Sequence, residues 1–303
     1  MSNKSFRLPS YAKINLTLRI LGKRADGFHE LCTIFQTISL CDYLTFNEHK
    51  KINFICDDEK IPTGDENLIV KAAKILKNEF AVKEGARIHL EKKIPAPGGL
   101  GGGSSNAAIA LIGLLKLWKI EIELSDLCEI AKTIGSDVSF FLFGGTALGT
   151  GRGTEICPLK DFYAENMLIV TPKVEVSTKD AFARINVPDL TNNFSKSILK
   201  ICRDEANLLY LRQLNLKNDF EATVFELEPE TVRAKKKLLD CGAKYALLSG
   251  SGASVFAIFD SILSRQKAFD ELKNERDWRV FEVETISRQD YRSNLSFDNI
   301  LHS

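Results

Sequence analysis

The stretch PAPGGLGGGSSNAAIALIGLLKLW, residues 95–118, places a glycine-rich loop directly before a helix that is apolar on nearly every side. Five glycines fall within residues 98–103, and residues without a Cβ let backbone N–H groups converge on an anion. The free N–H groups at the start of the following helix also favour negative charge. We therefore predict a buried helix over residues 107–118, capped by Ser104 or Ser105, and a phosphate site in the loop before it. A flexible linker is the alternative, but a linker needs neither a strand before it nor an apolar helix after it.

Three common kinds of phosphate-binding protein do not fit this stretch. A Walker A loop has Lys between its last glycine and a Ser or Thr, whereas Ser104 follows Gly103 directly. A dinucleotide-binding fingerprint needs a further glycine five positions on, and neither Gly99 nor Gly101 has one there. The H-R-D and D-F-G tripeptides of protein kinases do not occur in the sequence. The loop therefore indicates a different class of phosphate-binding protein.

The chain before the loop has the pattern of a β-hairpin. Residues 12–20 alternate apolar and polar, which predicts a half-buried strand with Lys13 and Asn15 on its polar face. The Asp-Gly pair at 26–27 is a turn signal, so a second strand over 31–40 is expected to pair back. The other elements predicted for the first half are strands at 43–46, 51–56 and 87–90, a helix opening at Asn67, a helix over 125–135, a helical turn over 136–143 and a hairpin within 144–153.

The pattern restarts after about residue 160 with a buried strand over 167–171, so we divide the chain into domains 1–160 and 161–303. Two strands, 244–248 and 254–259, flank a small-residue loop and belong to a β-α-β, ferredoxin-like arrangement. The other elements predicted here are a helix capped by Ser177, helices over 218–227, 229–240 and 262–274, and a strand over 278–283. No element is predicted for the polar tail after about residue 287.

Composition and charge exclude several functional classes. The 303 residues are 44% hydrophobic and 27% charged, which is typical of folded globular proteins. Lys and Arg total 41 against 40 Asp and Glu, so no global field attracts nucleic acid. The longest apolar stretch, 107–115, is too short to span a bilayer, and residues 1–10 lack the apolar run of a secretory signal. We expect a cytoplasmic protein without nucleic-acid or membrane partners and, since its His and Cys show no ligand spacing, without a metal held by them.

Three motifs together resemble the GHMP small-molecule kinases, the superfamily of galactokinase, homoserine kinase, mevalonate kinase and phosphomevalonate kinase. The loop at 97–108 resembles the second motif, AKINL at 12–16 the first, and LSGSGASVFA at 248–257 the third. Three motifs in this order are far more specific than any one of them. The resemblance implies a two-domain α+β fold, with a ribosomal protein S5 domain 2-like N-terminal domain that binds ATP and a ferredoxin-like C-terminal domain. The active site is then expected in the cleft between them.

Within the superfamily, GKRADGFHEL at 22–31 and GSDVSFF at 135–141 resemble the family of 4-diphosphocytidyl-2-C-methyl-D-erythritol kinases. That resemblance implies an enzyme that uses ATP and Mg²⁺ to phosphorylate the 2-hydroxyl of its substrate, in non-mevalonate isoprenoid biosynthesis. Three positions depart from the family pattern. Phe28 stands where tyrosine is usual, Ser139 where proline is common, and Thr154 where a glutamate often follows Gly-x-Gly.

The same resemblance implies catalytic and nucleotide-binding roles. Asp137 accepts the proton of the alcohol, and Lys13 lies beside it and assists the deprotonation. By residue type alone, such an aspartate is more often an ordinary helix cap and such a lysine is more often solvated. In the third motif, Gly250, Ser251 and Gly252 approach the same site, although such a loop is also a common interstrand turn. The residues implied to bind ATP are Pro95, Ala96, Pro97, Gly98, Gly99, Leu100, Gly101, Gly102, Gly103, Ser104, Ser105 and Asn106.

For the substrate, the resemblance implies a small molecule that carries a cytidine diphosphate group. Phe28 and Phe182 are expected on the two faces of the cytosine, with His29 at its edge. Asn15 and Thr178 are further expected substrate contacts. Taken without the resemblance, His29 is a turn residue and Phe182 a helix core residue. The protein is expected to be a monomer or a weak homodimer.

Two other functions remain open from the sequence. The chain is alternatively a GHMP kinase of the homoserine or phosphomevalonate type, although the DGFH segment at 26–29 argues against this. It is otherwise a catalytically silent ligand sensor on the same fold. Such a sensor is expected to lose Lys13 and Asp137, and this chain retains both.

Overall fold

A long antiparallel hairpin of β1 (Ser5–Lys23) and β2 (His29–His49) forms the centre of the first sheet. The computed structural model describes residues 5–185, 200–202, 204, 206 and 216–296, and the backbone of 301–302. The predicted hairpin is confirmed, but β2 joins the two strands predicted over 31–40 and 43–46. Asp42, a poor strand former, continues the strand because its buried carboxylate accepts hydrogen bonds from the N–H groups of Lys93 and Ile94.

The prediction that β1 is half-buried was wrong, because both of its faces are covered. Ala12, Ile14 and Leu16 pack in an apolar cluster shared with the second sheet. On the opposite face, Lys13 and Asn15 are only 3% and 1% exposed. A period of two separates the faces of a strand, but it does not tell whether water or another layer of protein covers the polar one.

Three helices of the first half contribute to the apolar cluster of the first sheet. They are α1 (Leu68–Glu79), α2 (Gly102–Trp118) and α3 (Leu124–Ile134), and α3 leads through a turn into a short 3-10 helix (Ser139–Leu142). The remaining strands of this half are β3 (Asn53–Cys56), β4 (Gly85–Glu91), β5 (Ile122–Glu123), β6 (Thr146–Gly151) and β7 (Glu155–Pro158). The sheet runs β3-β4-β2-β1, with β6 and β7 continuing from β2. The helix predicted from Asn67 is confirmed, and its Asn67 cap accepts from the N–H of Ile69 at 2.9 Å.

Helix α2 begins at Gly102, so the end of the glycine-rich loop is helical. Its N-cap is Gly101 in the left-handed conformation, with no side-chain cap. The prediction that Ser104 or Ser105 caps the helix was therefore wrong, since both lie inside its first turns. Glycine is a weak helix former, but burial of most of residues 102–115 overrides this low propensity.

The second sheet is antiparallel, and its order confirms the ferredoxin-like prediction. Its strands are β8 (Met167–Pro172), β10 (Tyr245–Leu248), β11 (Val255–Ile258) and β12 (Trp278–Val283), in the order β10-β11-β8-β12. Among the described residues this half contains helices α4 (Thr178–Arg184), α5 (Phe220–Leu227), α6 (Pro229–Asp240) and α7 (Ile262–Leu272), and residues 200–202 are also helical. The short strand β9 (Lys217–Asn218) joins β1, which is why α5 begins later than predicted.

The segment after residue 287, for which the sequence predicted no element, contains helix α8 (Arg288–Leu295). Ser287 caps this helix by accepting from the N–H of Asp290. Its buried residues Tyr291 and Leu295 belong to the apolar cluster of the first sheet, so the chain returns there from the second sheet. Two apolar residues in a polar segment are too few to give a periodic signal. A last strand, β13 (Leu301–His302), pairs with β5.

The apolar cluster that contains Ala12, Ile14 and Leu16 joins the two sheets. Ile14 and Ile38 from the first sheet pack there with Ile169 and Phe256 from the second. The loop between β10 and β11 thereby meets the glycine-rich loop, and a cleft opens along this junction. None of the described helices has the length and apolar character needed to cross a membrane.

Candidate active site

Lys13 and Asp137 form an ion pair at the base of the cleft. Lys13 comes from β1, and Asp137 lies in the turn between α3 and the 3-10 helix. The Lys13 Nζ lies 3.4 Å from the Asp137 Oδ2. The ammonium is almost fully buried, whereas 28% of the Asp137 side chain is exposed. A hydroxyl group that enters the cleft can therefore reach the carboxylate while the lysine stays shielded from water.

A chain of buried hydrogen bonds fixes the Lys13 ammonium. Its Nζ donates to the Asn15 Oδ1 at 2.8 Å and to the Gly99 carbonyl at 3.1 Å. The Asn15 Nδ2 donates in turn to the Thr33 Oγ1 at 2.7 Å, and that hydroxyl donates to the Thr17 carbonyl. Buried charges need such partners to offset the loss of water. Asn15, predicted as a substrate contact, lines the cleft and uses both ends of its amide to orient Lys13.

The glycines of the glycine-rich loop have two different surroundings. Gly99 has a φ of 71°, and a Cβ there would lie 2.0 Å from the Ser249 carbonyl oxygen. At Gly101 a Cβ would lie 2.9 Å from the Lys13 Cγ. Packing against the protein therefore requires these two glycines. Gly103 differs, because a Cβ there would meet nothing within 4 Å, so the backbone faces open space in the cleft.

The loop of the third motif docks on the glycine-rich loop. The Ser249 Oγ donates to the Gly99 carbonyl at 3.0 Å, and the Ser254 N–H donates to the Gly98 carbonyl. The Asn218 Nδ2 donates to the Gly250 carbonyl and supports the loop from behind. The structure thus brings the first, second and third motifs together.

Other predicted residues of these loops have distinct positions. Residues 95–104, Gly250, Ser251 and Gly252 all line the cleft. Ser251 and Thr178 lie at its edge with their hydroxyl oxygens 2.7 Å apart.

Ser105 and Asn106, predicted as phosphate donors, lie on the buried side of α2. The Ser10 hydroxyl donates to the Ser105 Oγ at 2.8 Å or to the Asn106 Oδ1 at 2.7 Å. Ser104 remains beside the cleft, and Ser105 and Asn106 do not line it. Helical geometry explains the split, because each residue is turned by about 100° from the one before, which carries Ser105 and Asn106 away from the face that Ser104 presents to the cleft. The sequence pattern predicts a helix start at residue 107, which places Ser105 and Asn106 in the loop. A helix start at Gly102 predicts which of these side chains face the cleft.

An aromatic wall closes the other end of the cleft. The His29 ring stacks on the Phe182 ring with centroids 4.8 Å apart, and Phe182 meets the Phe220 ring edge-on. Phe28 is 53% exposed, and the guanidinium carbon of Arg152 lies 4.5 Å from the centre of its ring. His29 thus covers a face of Phe182 that the sequence interpretation gave to the cytosine. Burial, with a smaller effect of the Lys23 charge, lowers the pKa of His29, which favours the neutral imidazole.

The cleft has a volume of about 1000 Å³. Sequence reasoning missed several of its lining residues, namely Leu18, Leu31, Thr33, Phe35, Lys132, Arg152, Val176 and Lys179. Arg152 had a signal of its own, because it stands between two glycines in a predicted hairpin. Among the described residues, no group of three or more His, Cys, Asp or Glu side chains is arranged to hold a metal ion.

Comparisons with known proteins agree with this arrangement. The family model described as "GHMP kinases N terminal domain" matches residues 67–145, and that described as "GHMP kinases C terminal" matches residues 203–276. A 4-diphosphocytidyl-2-C-methyl-D-erythritol kinase of Thermoanaerobacter pseudethanolicus is 36% identical over 94% of this chain and 98% of its own length. A protein of the same name from Clostridium perfringens is 35% identical over 93% of this chain and 98% of its own.

Two solved structures extend the comparison to the fold. A crystal structure of 4-(cytidine 5'-diphospho)-2C-methyl-D-erythritol kinase has a TM-score of 0.75 and 30% identity, covering 93% of this chain and 99% of its own. A homoserine kinase from Cytophaga hutchinsonii has a TM-score of 0.71 and 20% identity, covering 95% of this chain and 96% of its own. The second likeness shows the fold alone.

Proposed function

Because this chain belongs to the 4-diphosphocytidyl-2-C-methyl-D-erythritol kinase family of GHMP kinases, we propose that it phosphorylates the 2-hydroxyl of that cytidyl compound with ATP. The products are the 2-phosphate and ADP, and the reaction serves non-mevalonate isoprenoid biosynthesis. The observation that carries the proposal is the contact of Lys13 with an accessible Asp137 carboxylate at the base of the cleft. A silent ligand sensor has no need of this pair.

Asp137 acts as the proton acceptor. As the substrate oxygen forms its bond to the γ-phosphorus of ATP, its O–H bond breaks and the proton passes to the Asp137 carboxylate. The bond from the γ-phosphorus to the β,γ-bridging oxygen breaks, and ADP leaves with that electron pair. Lys13 supplies fixed positive charge beside the attacking oxygen. Its buried hydrogen bonds hold that charge in place before the reaction begins, which is the usual source of electrostatic catalysis.

The loop before α2 binds the phosphates of ATP. Since α2 has no side-chain cap, its first N–H groups remain available to an anion, and the open space at Gly103 admits close approach. The Ser104 hydroxyl and the phosphate oxygens are suitable ligands for Mg²⁺, which needs few protein carboxylates. When bound, Mg²⁺ neutralises negative charge on the phosphates.

The aromatic wall binds the cytidine. The exposed Phe28 ring offers a stacking surface, and the neutral His29 imidazole offers a donor and an acceptor to the edge of the base. Phe182 holds His29 by stacking on it. Thr178 and Asn15 stay predicted substrate contacts, and Asn15 also orients Lys13.

Several expectations about the whole protein stay predictions. They are the division at 1–160 and 161–303, the cytoplasmic location, the absence of nucleic-acid partners and the monomeric or weakly dimeric state.

The proposal is tested by offering the purified protein ATP, Mg²⁺ and a panel of alcohols, with ADP and the phosphorylated product measured separately. The panel contains the cytidyl compound, homoserine, mevalonate and phosphomevalonate. We expect turnover of the cytidyl compound alone and competitive inhibition by CDP, which contains the base and the diphosphate. Turnover of another alcohol in its place would assign the chain to another GHMP kinase. ATP binding with no turnover of any alcohol would support the sensor.

A further inference from the structure

Tyr291, in the helix after the second sheet, contacts the turn that carries Asp137. The Tyr291 hydroxyl donates a hydrogen bond to the carbonyl of Phe141, in the 3-10 helix that follows Asp137. The next two amides of that turn, those of Phe143 and Gly144, both donate to the Phe140 carbonyl. These two amides therefore do not bond to the Phe141 carbonyl. A buried acceptor needs a partner, and the Tyr291 hydroxyl supplies it.

The packing around the Tyr291 ring is equally specific. Tyr291 is fully buried, and a Cβ at Gly144 would lie 2.3 Å from its ring. Gly144 also has a positive φ of 65° at the end of the turn. The ring therefore occupies the space beside the backbone that closes the turn. Burial strongly raises the pKa of Tyr291, so its hydroxyl stays a donor at any working pH.

The start of α8 is anchored independently of the active site. The Arg288 N–H donates to the Asp161 Oδ2 at 3.0 Å, and the Arg288 guanidinium donates to the carbonyls of Leu159 and Thr146. These bonds hold the first residue of α8 against the segment 146–161, and they thereby fix the direction of the helix and the position of Tyr291.

The turn that Tyr291 contacts packs against the glycine-rich loop and reaches the catalytic lysine through Phe35. The Phe140 ring stacks on Phe35 at 4.8 Å, and the Lys13 Nζ lies 5.7 Å from the centre of that Phe35 ring. The tip of the Phe141 ring would lie 2.9 Å from a Cβ at Gly101. A displacement of the turn therefore changes the place of Asp137 relative to Lys13.

We propose that Tyr291 is a positioning residue, which holds the turn over residues 137–144 so that Asp137 meets Lys13 and the substrate hydroxyl. This inference rests on the proposed function for the role of Asp137. It gives α8 a part in the reaction, although the helix contributes no residue to the lining of the cleft.

The test compares Tyr291→Phe with Asn294→Ala. The first variant keeps the ring and removes only the hydroxyl. The second removes a bond of the same helix to the first sheet, the one from the Asn294 Nδ2 to the Tyr11 hydroxyl at 2.8 Å. Tyr11 packs against the Tyr291 ring at 5.7 Å, so this variant disturbs the surroundings of Tyr291 but keeps its hydroxyl bond to the turn. Hydrogen–deuterium exchange of peptides over residues 137–144 and steady-state kinetics are measured for both variants and the wild type, at a temperature where unfolding curves show all three folded.

We expect Tyr291→Phe to speed exchange in these peptides about tenfold, as loss of a buried hydrogen bond does. Its kcat is expected to fall about tenfold with both KM values within twofold of wild type, since positioning acts on the transition state. Asn294→Ala is expected to leave both measurements within twofold. Unchanged exchange in Tyr291→Phe would overturn the proposal, and so would unchanged kcat or an equal loss in both variants. If the wild type phosphorylates no alcohol of the panel, the proposed function fails, and the exchange measurement still decides whether Tyr291 holds the turn.

Discussion

The two ends of the cleft are constructed in opposite ways. At the Lys13 end, the ammonium and the Asn15 amide are buried, and each polar group bonds to another part of the protein. At the Phe28 end, the ring is largely exposed and the Arg152 guanidinium lies over it. Fixed geometry suits the transfer step, where small displacements are costly. An exposed ring suits a base that must enter and leave, and contributes binding energy rather than alignment.

This difference predicts which kinetic constant each region controls. Changes at the buried end should act on kcat or on the free energy of unfolding, because the groups there support the reaction and one another. Changes at the exposed end should act on the KM of the cytidyl substrate and leave stability nearly unchanged.

The largest effect is expected from Asp137→Asn. The amide keeps the shape of the side chain but cannot accept the proton, so kcat should fall at least about a hundredfold while ATP binding stays nearly intact. Initial rates with saturating substrates and a fluorescent ATP analogue measure the two quantities. Asp126→Asn, an exposed change in the first turn of α3, is the matched control and should keep kcat within twofold. Near wild-type turnover of Asp137→Asn would remove Asp137 from the mechanism.

A smaller effect is expected from Gly99→Ala, which tests the packing of the buried end. The positive φ and the clash with the Ser249 carbonyl should lower the free energy of unfolding by about 2 kcal/mol or more. Gly103→Ala is the matched control, because its Cβ has open space and alanine favours a helix. Urea unfolding of both variants measures the difference. Equal stability of the two variants would mean that the loop is held less tightly than its contacts indicate.

Most of the fold could be predicted because its signals are local. Helix α6 has the predicted bounds Pro229–Asp240, and strand β12 the predicted bounds Trp278–Val283. The failures come from tertiary packing. Burial makes Gly102 and the residues after it helical, and the apolar cluster of the first sheet recruits α8 through Tyr291 and Leu295. The residues that bury α2 and α8 are distant from these helices in the sequence, so the local pattern of either segment does not reveal them.

The candidate site divides in the same way. The three motifs, the segments at 22–31 and 135–141 and the family resemblance supplied the residues, and a resemblance of that kind needs no geometry. What each side chain contacts depended on the fold. Asn15 bonds to Lys13, Asn106 faces Ser10, and His29 stacks on Phe182. The first contact joins neighbours on one face of β1, which the alternating pattern already placed together. The other two join residues far apart in sequence, so motif order alone could not supply them.

At the exposed end, Phe28→Ala should raise the KM of the cytidyl substrate about tenfold, since stacking of a base contributes about 1–3 kcal/mol. We expect kcat and the unfolding midpoint to change little, because the ring is not part of the core. Tyr163→Ala is the matched control, an exposed aromatic residue outside the cleft that should leave KM unchanged. A loss of kcat without a change in KM would mean that Phe28 aligns the substrate for reaction, against the division proposed for the two ends.

The smallest effect concerns His29, which lies at the exposed end but stacks on a partly buried ring. Its pKa is lowered by burial first and by Lys23 second, so the folded protein binds the proton less readily than the unfolded chain does. The stabilisation from a neutral His29 is therefore fully present above about pH 6.5, the ordinary pKa, and is lost as the pH falls through the folded pKa. Unfolding free energies of wild type and His29→Gln between pH 5 and pH 8 measure this. The stability of the wild type relative to the variant should decrease as the pH falls, because only the wild type carries the group that resists protonation. If it increases instead, the ring is held as a cation, and His29 cannot act on the base as a neutral imidazole.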